Sequence, residues 1–349
     1  MDYARVYKKD AKRLKEAYSS SNILSKDYMV ESDDTYVYFP VTDKDNALTV
    51  ASSINIDIII VALPGIIKQD NNIDHTLKEL LGDDYHDIKR GFDIVGDIAV
   101  IEKTPGHEDK AIVIANAIME HHKSVKGVYA KEGIHEGDYR IQGIVHVIGK
   151  DSKETCHVEN GYRIFLEVGS TYFSPRLSQE RLRIARMVND NERVLVLFSG
   201  VAPYGIAINK HSKANRIVCV ELNPKAHEYA LINVEKNKAY NVECILGDAN
   251  DAIMKMAEDN VVFDRIIMPL PKTADDYLVP ISRLCNDNTM IHWYSFCEEA
   301  MIDNNVNERL SNTLGEVAEY SIENIQRVGA YSPGKMRVCA DVRIIRMLQ

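Results

Sequence analysis

Between residues 193 and 296, short apolar runs alternate with amphipathic segments at a nearly constant spacing. The runs are 193-RVLVLFS-199, 216-RIVCVEL-222, 242-VECILGD-248, 263-FDRIIMPLP-271 and 289-TMIHWYSF-296. Between them lie segments with helical periodicity at 203–211, 224–237, 249–257 and 274–285. Strands that are apolar on both faces need cover on both faces, and helices from parallel crossovers provide it. The alternation therefore predicts a doubly wound α/β sheet. A helix over 298–312 follows, then two strand-like runs, 317–329 and 336–348. Their link, 330-AYSPGK-335, is too short for a crossover, so the pair is expected to be antiparallel.

Upstream the pattern changes. Residues 1–62 read as a small α/β unit, with a charged helix over 4–18 and a strand at 35-TYVYFPV-41; Leu63-Pro64-Gly65 and the polar run KQDNN mark its end. Residues 63–157 form a second unit. It has a helix at 73–81, two short strands in 92-FDIVGDIAVIEK-103 around a Gly-Asp turn, a helix at 108–123, and strands at 126–133 and 138–149. The segment 154–173 reads as a hairpin turning at Asn160-Gly161. The third unit is 158–349. A chain of 349 residues is consistent with two or three domains.

Composition narrows the function class. A hydrophobic fraction of 45% and a charged fraction of 27% suit a globular protein. No apolar run is long enough to span a bilayer, and the charged first residues hold no signal core, so a cytoplasmic protein away from membranes is expected. Six scattered cysteines form no C-x-x-C pair, and the eleven histidines show no ligand spacing, so neither a metal site nor a disulfide framework is predicted. A net charge of −10 argues against non-specific coating of nucleic acid. It leaves room for a local basic face, and Arg176, Arg181, Arg183 and Arg186 lie within eleven residues. At helical spacing they equally suit a solvated helix face.

In a doubly wound sheet the ligand binds where strands end. The first strand ends in 199-SGVAPYG-205, where Gly200, Ala202 and Gly205 are small enough for close backbone approach. The second ends at Glu221, placed for a ribose or as a helix cap. The third ends at Asp248, placed for an adenine amino group or again as a cap. The fourth exits through Pro269 and Pro271, a stiff loop poor in N–H donors. Together these favour an adenosine-containing cofactor, with NAD and S-adenosylmethionine both open on this evidence.

The segments 91-GFDIVGDIAVIEK-103, 162-YRIFLEVGSTYFSPRLSQER-181, 198-FSGVAPY-204, 221-ELNPKAHEYALINVEKN-237, 247-GD-248 and 265-RIIMPLPKTA-274 resemble the archaeal and eukaryotic tRNA (guanine-37-N1)-methyltransferases. The resemblance covers roughly residues 28 to 349 and is strongest from 91 onward. It implies a class I, Rossmann-like methyltransferase domain with a mostly parallel seven-stranded sheet. Two smaller α/β or α+β domains precede it, the first touching the outer corner of tRNA and the second supporting the anticodon side. The cofactor it implies is S-adenosylmethionine, the partner tRNA rather than DNA, and the working unit a monomer.

The resemblance also assigns roles. Glu180 would take the N1 proton of the target guanine and Arg140 would hydrogen-bond its O6. Arg176, Arg181 and Pro271 would serve the substrate, with Arg181 supporting its loop. Tyr172, Phe198, Gly200, Ala202, Pro203, Glu221, Leu222, Asp248, Ala249, Pro269 and Pro271 would form the cofactor pocket. Three positions depart from the family's usual pattern: Val196 stands in place of an Asp, Ala202 in place of a Gly, and Pro269 in place of an Asn. The chemistry is consistent with the roles. Guanine N1 carries a proton and is a poor nucleophile until a carboxylate removes it. The charge that builds on O6 suits a fixed guanidinium, and the base must leave its stack to be reached. The alternatives are a wyosine-pathway enzyme acting on a tricyclic guanine by methyl or aminocarboxypropyl transfer, a tRNA-binding relative without catalysis, and an NAD-dependent oxidoreductase. The missing full G-x-G-x-x-G disfavours the last.

Overall fold

A computed structural model of the chain describes residues 1–25, 27–65, 73–136, 141–269 and 274–348. It divides into two compact units, Met1–Glu79 and Leu80–Gln349.

The first unit opens with a strand, not with the helix expected over 4–18. β1 (Asp2–Tyr7) precedes α1 (Lys8–Ser20), β2 (Glu31–Ser32), β3 (Tyr36–Pro40), α2 (Lys44–Ser53) and β4 (Ile59–Ala62). β1 pairs antiparallel with both β3 and β4, giving the order β2-β3-β1-β4. Residues 4–6 read Ala-Arg-Val, which suits a strand between two partners as well as a helix; pairing on both sides decides it. A separate core of Ala4, Val6, Leu14, Tyr18, Phe39 and Ala47 forms beneath α1 and α2. α3 (Ile73–Leu81) spans the division between the units.

The second unit begins with β5 (Phe92–Val95) and β6 (Ile98–Ile101), joined through Gly96 at φ 59°. α4 (Lys110–His121) then carries the chain over to β7 (Gly127–Glu136), parallel to β6, and β8 (Ile141–Gly149) closes the sheet β5-β6-β7-β8. The hairpin β9 (Glu154–Glu159) and β10 (Tyr162–Glu167) turns at Asn160 and Gly161, whose φ angles are 44° and 80°. That left-handed pair is the conformation an Asn-Gly turn favours. α5 (Ser178–Met187) follows, behind a single 3-10 turn at Pro175–Leu177.

The rest is the expected sheet. β11 (Arg193–Val196), α6 (Pro203–His211), β12 (Arg216–Glu221), α7 (Pro224–Lys236), β13 (Val242–Leu246), α8 (Ala249–Glu258) and β14 (Phe263–Met268) alternate in sequence. A 3-10 turn (Ala274–Tyr277) and α9 (Leu278–Ser282) replace the single helix expected over 274–285. They lead to β15 (Cys285–Glu298), longer than expected, and then α10 (Ile302–Ser311), β16 (Ala318–Ser332) and β17 (Lys335–Met347). The order is β13-β12-β11-β14-β15-β17-β16, parallel except for β17, which runs against both neighbours. The strand order runs outward from β11 on one side through β12 and β13 and on the other through β14 and β15, which makes the C-terminal end of β11 the switch point. No helix among the described residues is long and apolar enough to cross a membrane.

Candidate active site

The turn after β11 holds three residues at positive φ: Phe198 at 53°, Gly200 at 56° and Ala202 at 61°. Two of them carry side chains, and such strain persists where surrounding contacts over-determine the backbone. Ala202 precedes α6 in the left-handed region, with Pro203 at the first helical position. Gly205 explains the close seat of that helix: a Cβ there would lie 2.7 Å from Cys219 Sγ on β12. At Gly200 a Cβ would lie 3.3 Å from the Tyr172 carbonyl oxygen. The segment ahead of α5 therefore lies over the turn, and Tyr172 itself is exposed.

Glu221, at the end of β12, reaches across this turn. Its Oε2 accepts from Gly200 N at 2.6 Å and its Oε1 from Asn223 N at 2.8 Å. Burial pushes its carboxyl up from the ordinary value, against the pull of those N–H groups. Asn223 caps α7 and donates from Nδ2 to Ser170 O at 3.0 Å, which ties the Tyr172 segment to the same strand end. Asp248 caps α8 through Asn250 N at 2.8 Å. Its charge also bears on Tyr277, whose ring meets Phe198 edge-on at 4.8 Å. Leu222 is exposed beside Glu221, Ala249 is buried, and Pro269 is half-buried at the exit of β14. The strand ends thus bring together Tyr172, Phe198, Gly200, Ala202, Pro203, Glu221, Leu222, Asp248 and Ala249. Arg140 and Pro271 lie outside the described residues.

An adenosine-type cofactor fits these residues. The Ser199 hydroxyl is buried at the turn with no hydrogen-bond partner among the described residues, and it can donate to a ligand there. Glu221 and Asp248 present acceptors at successive strand ends, as ribose hydroxyls and an adenine amino group require.

α5 brings the carboxylate. Glu180 is buried at 7% exposure, on the side of the helix that meets α6 and the sheet. Arg183 grips it with two bonds, Nε to Oε2 and Nη2 to Oε1, each 2.8 Å. Tyr294 of β15 donates to Oε1 at 2.6 Å, and Tyr204 of α6 donates to Tyr294 at 3.0 Å. A carboxylate offers about four acceptor sites. Three are taken by the described residues, two on Oε1 and one on Oε2, so Oε2 has one more to offer.

Beyond Arg183 the network continues. Asp341 of β17 accepts from Arg183 Nη1 at 2.6 Å and from His292 Nδ1 at 2.6 Å. His292 Nε2 lies 2.7 Å from Arg265 Nη1. A guanidinium only donates, so Nε2 accepts and the Nδ1 proton faces Asp341. His292 is therefore neutral, and burial lowers its proton affinity further. Arg265 is held by Glu192 at 2.7 Å and by the Met187 carbonyl at 2.7 Å. Three carboxylates (Glu180, Asp341, Glu192) face two guanidiniums, so the buried chain is one proton short of neutral. His292, Cys339 and Asp341 also cluster with ligand atoms within 4.8 Å of one another. Arg183 and Arg265 already supply the positive charge there.

The other two arginines differ sharply. Arg181 is fully buried. Its Nε and Nη2 meet Glu159 at 2.6 Å each, and it donates to the Ser174 carbonyl at 3.1 Å. It pins the segment between Tyr172 and α5 from below, with every donor turned inward. Arg176 is exposed and bonds Asp93 of β5 at 2.6 Å. The i,i+3 spacing of Glu180 and Arg183 already suggests the pair that the structure shows, although as a surface pair rather than a buried one; sequence reading singled out none of Asp341, His292, Tyr294 and Tyr277. The available signal was an acid inside 336-MRVCADVRIIRM-347 and a histidine inside 289-TMIHWYSF-296, polar residues in strands otherwise fit for full burial.

The comparisons with known proteins fall on the same elements. The chain matches the model of the TRM5/TYW2 methyltransferase domain over residues 155–323, that of the TYW2 N-terminal domain over 73–152, and that of the tRNA methyltransferase 5 N-terminal domain over 5–49. It is 38% identical over 256 residues to the tRNA (guanine(37)-N(1))-methyltransferase Trm5b of Pyrococcus abyssi, covering 72% of this chain and 74% of that protein. It is 32% identical to the tRNA (guanine(37)-N(1))/4-demethylwyosine(37)-methyltransferase Taw22 of Nanoarchaeum equitans, over 73% of this chain and 99% of that protein. The solved complex of aTrm5 and tRNALeu superposes with a TM-score of 0.69 at 25% identity, over 98% of this chain and 99% of that one. A doubly wound α/β sheet with a left-handed turn at its switch point, a buried carboxylate network and these matches along nearly the whole chain lead to one conclusion: the chain belongs to the TRM5/TYW2 methyltransferase family.

Proposed function

We propose that this chain is a tRNA methyltransferase that moves the methyl group of S-adenosylmethionine to N1 of guanosine 37, with Glu180 as the general base. The observation that carries the reading is the Glu180 carboxylate. It is buried beside the cofactor turn, with one acceptor site open and a surrounding network one proton short of neutral.

Bound S-adenosylmethionine supplies an electrophilic methyl group on a positively charged sulfur. Glu221 and Asp248 hold its adenosine, and the turn at Gly200 lets it approach the backbone. Tyr172 covers the pocket from the α5 side. The extruded guanine would present N1–H to Oε2 of Glu180, which would take the proton as N1 gains the methyl group, the sulfur–methyl bond breaks and S-adenosylhomocysteine leaves. Arg183 and Tyr294 keep the carboxylate in one rotamer, so positioning costs little at the moment of reaction. By the family resemblance, Arg140 serves O6 of the guanine, and Arg176, Arg181 and Pro271 serve the substrate. Residues 1–62 meet the outer corner of tRNA, 63–157 support the anticodon side, and 158–349 carry the transfer. The enzyme works as a cytoplasmic monomer.

The test is methyl transfer from labelled cofactor to two tRNA transcripts that differ only in G or A at position 37. Transfer to the G37 transcript alone, with 1-methylguanosine as product, is expected. Transfer to both or to neither overturns the reading. Because the Nanoarchaeum equitans relative is named for both guanine and 4-demethylwyosine, a second reading is that a tricyclic guanine at position 37 is also a substrate. A 4-demethylwyosine-containing tRNA assayed in parallel decides that point.

A further inference from the structure

Arg183 serves two carboxylates. Its Nε and Nη2 bind Glu180, while Nη1 and Nη2 reach Asp341 at 2.6 and 3.2 Å. Asp341 sits in β17, within a stretch of strand buried on both faces. Four neighbours fix it: Arg183, His292 at 2.6 Å, Asn324 Nδ2 at 3.0 Å and Cys339 Sγ at 3.6 Å. His292 is fixed in turn by Arg265. Asp341 has no freedom to turn away, so its charge is permanently applied to Arg183 along the edge next to the one that Glu180 holds, with Nη2 common to both.

We propose that Asp341, locked by His292 and Asn324, is a positioning residue for the proton transfer: it shares the Arg183 guanidinium with Glu180 and thereby leaves Glu180 able to accept the N1 proton. The proposal rests on the reading of Glu180 as the base. A guanidinium paired with one buried carboxylate favours that carboxylate's ionised form strongly. Shared with a second carboxylate, it favours the first less. The same geometry keeps Arg183 in the rotamer that orients Glu180.

Among the described residues, the groups facing Glu180 leave no other charge to do this. From α6 comes Tyr204, from β15 Tyr294, and from β17 Cys339 beside Asp341. Burial pushes the proton affinities of all three upward, so they stay neutral. His292 of β15 is neutral because Arg265 occupies its Nε2. On α5 itself, Arg181 is neutralised by Glu159. Arg183 and Asp341 remain.

The test compares the pH dependence of single-turnover methyl transfer in the full chain and in Asp341→Asn, Asn324→Ala and Glu180→Gln. Cofactor binding by calorimetry and circular dichroism establish that each variant is folded. In Asp341→Asn the carboxylate charge is gone and Arg183 acts on Glu180 alone. The acid limb of the profile is expected about one pH unit lower and the maximal rate about tenfold lower, with tRNA affinity unchanged. In Asn324→Ala the opposite is expected. Asp341 loses a donor, more of its charge acts on Arg183, and the limb moves up by a few tenths of a unit. Asn324 is an exposed residue of the edge strand β16, paired opposite Asp341, so this variant keeps its fold if Asp341→Asn does not. A slower Asp341→Asn enzyme with an unmoved limb overturns the proposal and leaves Asp341 a structural residue. An unmoved limb in Asn324→Ala overturns it where Asp341→Asn does not fold. Persistence of the wild-type limb in Glu180→Gln removes the base assignment itself, which is a separate failure.

Discussion

Glu159 and Arg181 show how much a single buried pair can constrain. Their side chains are 3% and 2% exposed, and they meet through two bonds of 2.6 Å. Burial alone raises the Glu159 carboxyl, but hydrogen bonds from His157 and Arg181 and the Arg181 charge outweigh it and hold the group at about 2. A carboxyl held lower in the folded chain than in the unfolded one adds stability above its unfolded value, and that stability is lost as pH falls. The window runs from about 4.5 down to about 2. The denaturation midpoint should therefore drop across it, and drop less in Glu159→Gln. A parallel decline in both proteins would place the acid sensitivity elsewhere. Arg181→Met should cost about 3–5 kcal/mol in urea unfolding, since it strands a buried charge; a loss under 1 kcal/mol would mean water reaches Glu159. Glu180→Gln is the catalytic counterpart. It keeps size and fold, should bind cofactor and tRNA normally, and should turn over at least about 100-fold slower. Near-normal turnover takes Glu180 out of the mechanism.

At the level of elements, α7 holds the hairpin to the cofactor turn through amides one helical turn apart. Asn233 Oδ1 accepts from Phe165 N at 2.7 Å, and its Nδ2 donates to Phe165 O at 3.0 Å and Val201 O at 2.9 Å. Asn237 repeats the pattern on Arg163 at 3.0 and 2.7 Å. The helix thus completes the open edge of β10 as a strand would, which deals with the unpaired groups of an edge. Asn233 is fully buried, so Asn233→Ala should cost about 2–4 kcal/mol of stability, because backbone groups lose their partners in a dry site. Asn237→Ala, nearer the surface, should cost under half of that by the same measurement; equal losses would refute the burial argument. Gly205→Ala should cost about 1–3 kcal/mol by forcing α6 off Cys219. The helices and strands from 193 onward were legible because each is a long periodic run. The Asn-Gly turn was legible because its left-handed backbone has a local signature. β1 was not, because Asp2–Tyr7 becomes a strand only by pairing with segments some 35 and 60 residues away. The amide ladder of α7 was invisible for the same reason: Asn233 and Asn237 look like ordinary polar helix positions until β10 lies beside them.

Across the molecule, local motifs pointed to the strand ends, while the partners of Glu180 come from distant parts of the sequence. Glu221 ends β12 and Asp248 lies two residues past β13, so position in sequence gave position at the strand ends. Arg183 and Asp341 are 158 residues apart, and only the antiparallel insertion of β17 between β15 and β16 joins them. The units also differ in independence. The first has its own core within residues 4–60, and the second encloses the sheet, the pocket and the whole Glu180 network. A fragment of residues 73–349, starting with α3, should therefore unfold cooperatively and bind S-adenosylmethionine within about twofold of the full chain. Its failure to fold would refute the independence of the second unit. The net charge of −10 sharpens what the fragment should lose. An acidic protein binds tRNA only where basic side chains are gathered against phosphates, and each phosphate neutralised steepens the salt dependence of affinity by a little under one. If residues 1–62 contact the outer corner, the full chain should show a steep fall of tRNA affinity between about 50 and 200 mM salt, and the fragment a weaker affinity with a shallower slope. Equal slopes in the two proteins would place all phosphate contacts on the second unit and leave the first without a part in binding.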